Sequence, residues 1–135
     1  MADCKAAFTK YLEEKQLPYH VIHDHVIGLE AGGEKMKHQQ IFVDFDEKGA
    51  DNAHFYCRIA EMNEEKMGAS LVLCNQLNAK YRWIKFVIDE DMDACCLCDA
   101  YIDEETCGEE CMHVVSEMVL VADEVYSSFM KILWG

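Results

Sequence analysis

Apolar residues near the C-terminal end of the sequence recur at alternating steps of four and three. This spacing keeps one apolar face aligned over about six turns of a helix with 3.6 residues per turn. We therefore predict an amphipathic helix that begins near Thr106 and lies on a flat apolar surface, with Thr106 and Glu109 as a capping box. The predicted buried face consists of Cys111, Val115, Met118, Ala122, Val125, Phe129 and Ile132.

Short apolar runs with turn residues between them predict the remaining elements. A hairpin directly before the long helix pairs residues 83–88 with 94–102 across an acidic turn at 89–93. A first helix over residues 3–15 ends at Gln16-Leu17-Pro18, because the residue before a proline is pushed out of the helical region. Three or four strands follow at residues 19–24, 25–32, 39–46 and 52–62, with a tight turn at 46–49.

A second helix is predicted over residues 64–77, since Asn63 suits the N-cap position. Strands grouped between helices favour an antiparallel α+β layer over a βαβ arrangement. The predicted buried side of this second helix consists of Met67, Leu71 and Cys74, widened by Leu73 and Leu77.

A recognisable order of motifs runs through the second half of the chain. Asn75-Gln76-Leu77-Asn78 is followed by Tyr81-Arg82-Trp83 leading into a strand, an Asp-rich turn, a second strand and a long terminal helix. This order resembles the YbjN family of bacterial sensory transduction regulators, which is similar in fold to the type III secretion chaperones. The match covers about the last 60–70 residues, half of a domain of ordinary size.

The resemblance implies both a fold and a function. It implies one YbjN-like domain over residues 1–135 in the order α-β-β-β-α-β-β-α, with an antiparallel sheet of about five to six strands packed by helices. It also implies a bacterial, non-enzymatic protein-interaction module, either a sensory transduction regulator or a chaperone-like adaptor. A partner segment is expected to lie along an apolar groove or to add a strand to a sheet edge. We expect a homodimer.

The distribution of charge along the chain limits the classes of partner that it can bind. The net charge is −14, and 13 acidic residues but no Lys or Arg lie between Phe86 and Met130. Such a face repels nucleic acid and anionic membranes, because both are bound through basic side chains. We therefore predict no nucleic-acid or membrane partner, and a protein partner with a basic or amphipathic segment.

Eight cysteines and a polar N-terminal stretch are the features that indicate a cellular compartment. The stretch MADCKAAFTKYLEEK lacks the apolar core of a signal peptide. We expect a cytoplasmic protein whose cysteines are reduced thiols, buried as small hydrophobic residues.

Two groups of side chains offer metal ligands. His20 and His23 fall in the first predicted strand and His25 begins the second; along an extended chain His23 and His25 would share a face while His20 points to the other. Four thiols, at Cys96, Cys98, Cys107 and Cys111, have the right number for a zinc site but not the usual C-x2-C spacing. We predict no metal and no cofactor, and keep a small metal- or thiol-based sensor as the alternative function.

Other chemical motifs are incomplete. Residues 89–93 begin like a calcium loop, but Ala94 and Ala100 stand where glycine and glutamate are required. The sequence contains no G-x-S-x-G motif, no P-loop and no G-x-G-x-x-G motif. We therefore predict no enzymatic activity.

Candidate partner-binding residues are aromatic or lie beside aromatic residues. Tyr81, Arg82, Trp83 and Tyr101 gather at one end of the predicted hairpin, where they are either interaction anchors or cross-strand packing. The apolar C-terminal residues either pack on the sheet or contribute to a dimer contact. These are Phe129, Leu133 and Trp134.

Overall fold

A six-stranded antiparallel sheet with three helices makes up the part of the chain described by the computed structural model, residues 3–45 and 52–135. The strand order β1-β2-β3-β4-β6-β5 places β1 and β5 at the two edges. The predicted α+β fold is confirmed, with four strands before the second helix where the family order gave three. The elements are α1 (Cys4–Glu14), β1 (His20–His23), β2 (Val26–Ala31), β3 (Gln39–Phe45), β4 (Asn52–Glu61), a 3-10 turn (Glu64–Lys66), α2 (Met67–Lys80), β5 (Lys85–Ile88), β6 (Asp93–Tyr101) and α3 (Cys107–Trp134).

The core lies between one face of the sheet and the helices. Helix α3 packs on α1, β3, β4 and β6 through the predicted apolar stripe, although Ile132 is only partly buried and Val121 joins the buried side. The predicted capping box does not form, because the Thr106 side chain accepts no hydrogen bond from the first turn of α3. The Thr106 hydroxyl and the Asp103 N–H donate to Glu110 instead.

Helix α2 is rotated relative to the prediction. Its buried side chains are Ser70, Cys74 and Leu77, while Leu71 is 52% exposed. The helix carries a single charged residue, Lys80, so polarity along the sequence does not distinguish its faces. Packing against β5 and α3 decides the rotation instead.

The strands alternate as predicted where the structure describes them. Ile41, Val43 and Phe45 in β3 point into the core, and Phe55 and Cys57 continue this face in β4. The predicted turn at residues 46–49 lies outside the described residues. None of the described helices is long and apolar enough to cross a membrane.

Candidate protein-binding surface

An apolar concave surface lies between the N-terminal half of α3 and the segment that enters β5. Helix α2 ends at Tyr81, whose extended backbone (φ −96°, ψ 141°) leads the chain towards the sheet. The hollow has a volume of about 500 Å³. We call this region the aromatic surface; its main lining residues are Tyr81, Arg82, Trp83, Tyr101, Val114 and Glu117.

Two aromatic rings on this surface are open to solvent. Trp83 is 85% exposed and Tyr101, the last residue of β6, is 86% exposed. Neither ring is buried by cross-strand packing, which was the competing interpretation. The structure therefore brings four of the predicted partner-binding residues together and leaves two of their rings exposed to solvent.

Tyr81 forms a fixed wall of the aromatic surface. Its ring centroid lies 5.5 Å from that of Phe86, and its hydroxyl donates to Glu124 Oε2 at 2.6 Å. Burial raises the pKa of Tyr81 to about 12, so the hydroxyl stays protonated and keeps this bond at neutral pH. The contact joins the start of the hairpin segment to α3.

The two remaining predicted residues lie elsewhere. Phe129 is fully buried in the core, so its side chain offers no surface to a partner and we withdraw it from the candidate set. Trp134 is 83% exposed at the end of α3 and does not line the aromatic surface.

The two sheet edges differ in their availability for an added strand. At β5, the Asn78 side chain accepts from the Phe86 N–H at 2.7 Å and donates to the Phe86 carbonyl at 3.0 Å. This amide takes the place of a neighbouring strand at Phe86. At the other edge all four residues of β1 are exposed. An added strand would therefore find β1 open and β5 closed at Phe86.

The sequence model of the YbjN family, whose description reads "Putative bacterial sensory transduction regulator", matches residues 6–129. The chain belongs to the YbjN family. Comparison with curated proteins gives no match.

Among solved structures, this YbjN family member is similar to the Yersinia pestis type III secretion chaperone SycH, solved in complex with a stable fragment of YscM2. The TM-score is 0.56 at 12% identity, and the match covers 88% of this chain and 96% of the SycH chain. At this identity the similarity shows a shared fold. The predicted family resemblance and the chaperone-like architecture are confirmed.

The four thiols of the alternative zinc site do not come together in this YbjN protein. Cys96 lies opposite Cys57 in the β4–β6 register, whereas the Cys107 and Cys111 sulfurs are 3.8 Å apart in α3. All eight cysteines are free and buried. Burial raises the pKa of Cys98, and the hydrogen bond with Cys107 together with burial raises that of Cys111. The hydrogen bond with Cys111 lowers the pKa of Cys107, so the two thiols of α3 differ from each other. The packing separates the four thiols into two groups and does not present one tetrahedral set.

The histidine run gains a neighbouring carboxylate that the sequence analysis did not identify. His25 Nδ1 lies 2.7 Å from Asp44 Oδ1, and the His23 and His25 rings are 4.9 Å apart. Among the described residues, however, the one group of three candidate ligand atoms within 4.8 Å of one another belongs to Asp89, Asp91 and Asp93. Residues 3–45 and 52–135 therefore supply no such group of three ligands that includes a histidine.

The acidic turn is organised by its first carboxylate. Asp89 Oδ1 accepts from the Asp91 N–H at 2.9 Å and the Asp93 N–H at 3.0 Å. Met92 has a positive φ of 64°, which closes the turn. These contacts are those of a tight hairpin turn.

Sequence reasoning missed two polar anchors. Asn78 belongs to the family motif, but only the structure shows that it closes the β5 edge. Asp123 had no distinguishing feature among the acidic residues of α3. Its Oδ1 accepts from the Lys35 N–H and the Met36 N–H, both at 2.8 Å, and so fixes the β2–β3 turn on α3.

Proposed function

We propose that this YbjN protein is a non-enzymatic adaptor, a sensory transduction regulator or chaperone-like protein that holds a segment of a protein partner on the aromatic surface. One observation carries the proposal: Trp83 and Tyr101 are almost fully exposed beside an apolar hollow. Large aromatic side chains placed in this way are typical anchors of protein interfaces. The chain also shares its fold with SycH, a chaperone solved with a fragment of another protein.

The charges around the hollow define the partner further. Asp99 and Glu117 lie among its lining residues, and Arg82 is the single Lys or Arg there. A segment that places apolar residues against the two rings and a basic residue near the carboxylates complements this surface. The proposed partner is therefore a basic or amphipathic segment.

Helix α2 supports the proposal of a homodimer. Its outward side includes the exposed apolar residues Leu71 and Val72, and a Cβ atom added at Gly68 would meet no atom within 4 Å. The helix contains no acidic residue. Two copies of a chain with a net charge of −14 repel each other least when they meet through such a neutral face.

Light scattering of the purified full chain tests this dimer. We expect a dimer for the wild type and a monomer for Leu71→Glu/Val72→Glu. Leu120→Glu, which places one charge at an exposed apolar position of α3, serves as the control and stays dimeric. A monomeric wild type contradicts the proposal.

The remaining features are proposed on the same basis. We place the protein in the cytoplasm, where eight free buried thiols stay reduced. We also propose that residues 1–135 act as one domain, since α1 at one end of the chain packs on α3 at the other.

The adaptor proposal is tested by capture followed by measured binding. The full chain is immobilised, a stoichiometric protein is captured from host lysate and identified, and its purified form is titrated by calorimetry. Trp83→Ala/Tyr101→Ala is expected to weaken binding by about 30-fold or more, the effect of losing anchor residues. Leu120→Ala is the control, since this side chain is 60% exposed on α3 outside the aromatic surface, and it should change affinity by less than about twofold.

Two results would contradict the adaptor proposal. One is a double variant that binds the identified partner as tightly as the wild type. The other is a wild-type protein that captures no stoichiometric protein under several salt and detergent conditions.

A further inference from the structure

Basic residues gather in one groove of this acidic chain. The groove, of about 950 Å³, lies beside the β2–β3 turn and reaches across the uncovered face of the sheet. Lys35, Lys37 and Arg58 line it, together with two acidic residues, Glu30 and Asp93. A local excess of positive charge in a chain with a net charge of −14 indicates a surface with its own preference for partners.

Lys35 and Lys37 are both exposed, and neither forms a close ion pair with another described residue. The charge of Lys35 is partly offset by Asp123, whose pKa is lowered by backbone hydrogen bonds and also by the charge of this lysine. Arg58 lies 3.7 Å from Asp93, a distance at which the pairing is weak. The lysine ammonium groups are therefore available to an anionic partner.

The groove continues into a neighbouring region at the C-terminal end of α3. A second depression of about 570 Å³ shares Lys35 and Tyr126 with the groove and adds Lys131 and Trp134. No acidic residue lines this second depression. Groove and depression together form one continuous surface that combines cationic groups with aromatic rings, and we call it the basic groove.

The turn that carries the two lysines is held rigidly. Asp123 accepts from two backbone N–H groups of the turn, and the Gly33 N–H donates to the Met36 carbonyl at 2.8 Å. A Cβ atom at Gly33 would come within 2.3 Å of the Asp123 side chain, so only glycine allows this approach. Because the turn is fixed before binding, little ordering free energy is lost when a ligand arrives.

We propose that the basic groove binds an acidic segment of a protein partner, with carboxylates on Lys35 and Lys37 and an apolar side chain against Trp134. Charge complementarity is the argument for this occupant, because the groove is cationic while the surroundings are strongly anionic. A long polyanion is disfavoured, since it would extend beyond the groove onto the acidic surface. This site is separate from the aromatic surface and does not depend on the adaptor proposal.

Fluorescence anisotropy of labelled peptides tests the inference with the full chain. The probe is a fluorescein-labelled twelve-residue peptide of alternating Glu and Leu with one Phe, and its matched control replaces every Glu by Gln. We expect the acidic peptide to bind and the neutral peptide to bind at least about tenfold more weakly. Raising the salt concentration should weaken binding of the acidic peptide and leave the neutral one unchanged.

Charge-reversal variants locate the binding. Lys35→Glu/Lys37→Glu is expected to lower the affinity for the acidic peptide by about tenfold or more. Lys10→Glu/Lys85→Glu makes the same change in net charge at exposed positions outside the groove and should alter affinity by less than about twofold. Circular dichroism checks that both variants are folded.

The two tryptophans separate this inference from the adaptor proposal. Trp83→Phe leaves Trp134 as the sole tryptophan, and its emission should shift to the blue when the acidic peptide is added. Trp134→Phe leaves Trp83, whose emission should not change. The inference is overturned if the acidic peptide does not bind, if the neutral peptide binds equally, or if both charge-reversal variants weaken binding alike. It is also overturned if sedimentation shows self-association that Lys35→Glu/Lys37→Glu abolishes, since the occupant is then a second copy.

Discussion

Replacing Asn78 by alanine removes the group that closes the β5 edge. The Asn78 amide forms two hydrogen bonds with the backbone of Phe86, one as donor and one as acceptor. Phe86 is itself buried under α2 and paired with Cys96 on its other side. In the variant the Phe86 N–H and carbonyl therefore lose their partners at a partly buried position.

The expected cost follows from two opposing effects. A partly buried backbone group left without a partner costs about 1–3 kcal/mol, and two such groups are affected. Water reaching the strand edge offsets part of this cost, and alanine is better than asparagine inside a helix by about 0.5 kcal/mol. We expect the free energy of unfolding to fall by about 2 kcal/mol.

Urea denaturation followed by circular dichroism measures the change. With a slope of about 2 kcal/mol per molar urea, the midpoint should fall by about 1 M. Asn75→Ala is the matched control, because Asn75 lies on the exposed side of the same helix and the helix-propensity gain is the same. Its midpoint should stay the same or rise slightly.

The comparison of the two variants decides the question. If Asn78→Ala unfolds at the same urea concentration as Asn75→Ala, the two hydrogen bonds contribute nothing and our account of the β5 edge is wrong. If the slope falls while the midpoint is unchanged, the substitution has acted on the unfolded state instead.

Three further predictions concern the core, the turn and the thiols. Phe129→Ala should destabilise the protein by about 3–5 kcal/mol in the same urea assay, since a fully buried ring is lost. Hydrogen bonds from the Met36 and Lys35 N–H groups hold the pKa of Asp123 below its usual value, so this contact stabilises the fold at neutral pH and is lost as the pH falls below about 4. Asp123→Asn should therefore flatten the acid limb of the stability curve, and an unchanged limb would contradict this. Because burial raises the pKa of Cys95 to about 12, its alkylation by iodoacetamide should stay slow from neutral pH to about pH 9, and rapid labelling would refute its burial.

The sequence was sufficient where periodicity was strong and the two faces of an element differed. Helix α3 and strand β3 each alternate between apolar and polar positions, and their buried faces were predicted almost completely. Phe129 belonged to that periodic stripe, which indicated a core position more reliably than its aromatic character indicated a binding role. The prediction failed for α2, where Leu71 is apolar but exposed, because a helix with a single charge does not specify its own rotation.

Strand order and side-chain exposure lay beyond the sequence pattern. The run of buried residues in β6 is explained by its place between β4 and β5. On the face away from the helices, neighbouring side chains bury Cys95, whose sulfur lies 3.1 Å from the Tyr56 hydroxyl and 3.4 Å from Asp89 Oδ2. Nothing in the sequence separated Trp83, which is exposed, from Phe86, which is buried three residues later. The pair of lysines at positions 35 and 37 was detectable as a basic cluster in an acidic chain, but its grouping with Lys131 required the fold.

The eight buried thiols affect the resistance of the protein to inactivation by oxidation in air. Within the fold they are shielded, and burial holds the pKa of Cys4 at about 12. Each time the chain opens, the thiols return to a pKa of about 8.5 and become reactive together. Without a reductant, disulfides formed at that moment trap the open chain, so unfolding becomes irreversible. The stability measured in this way is then kinetic, set by the rate of unfolding and not by an equilibrium free energy.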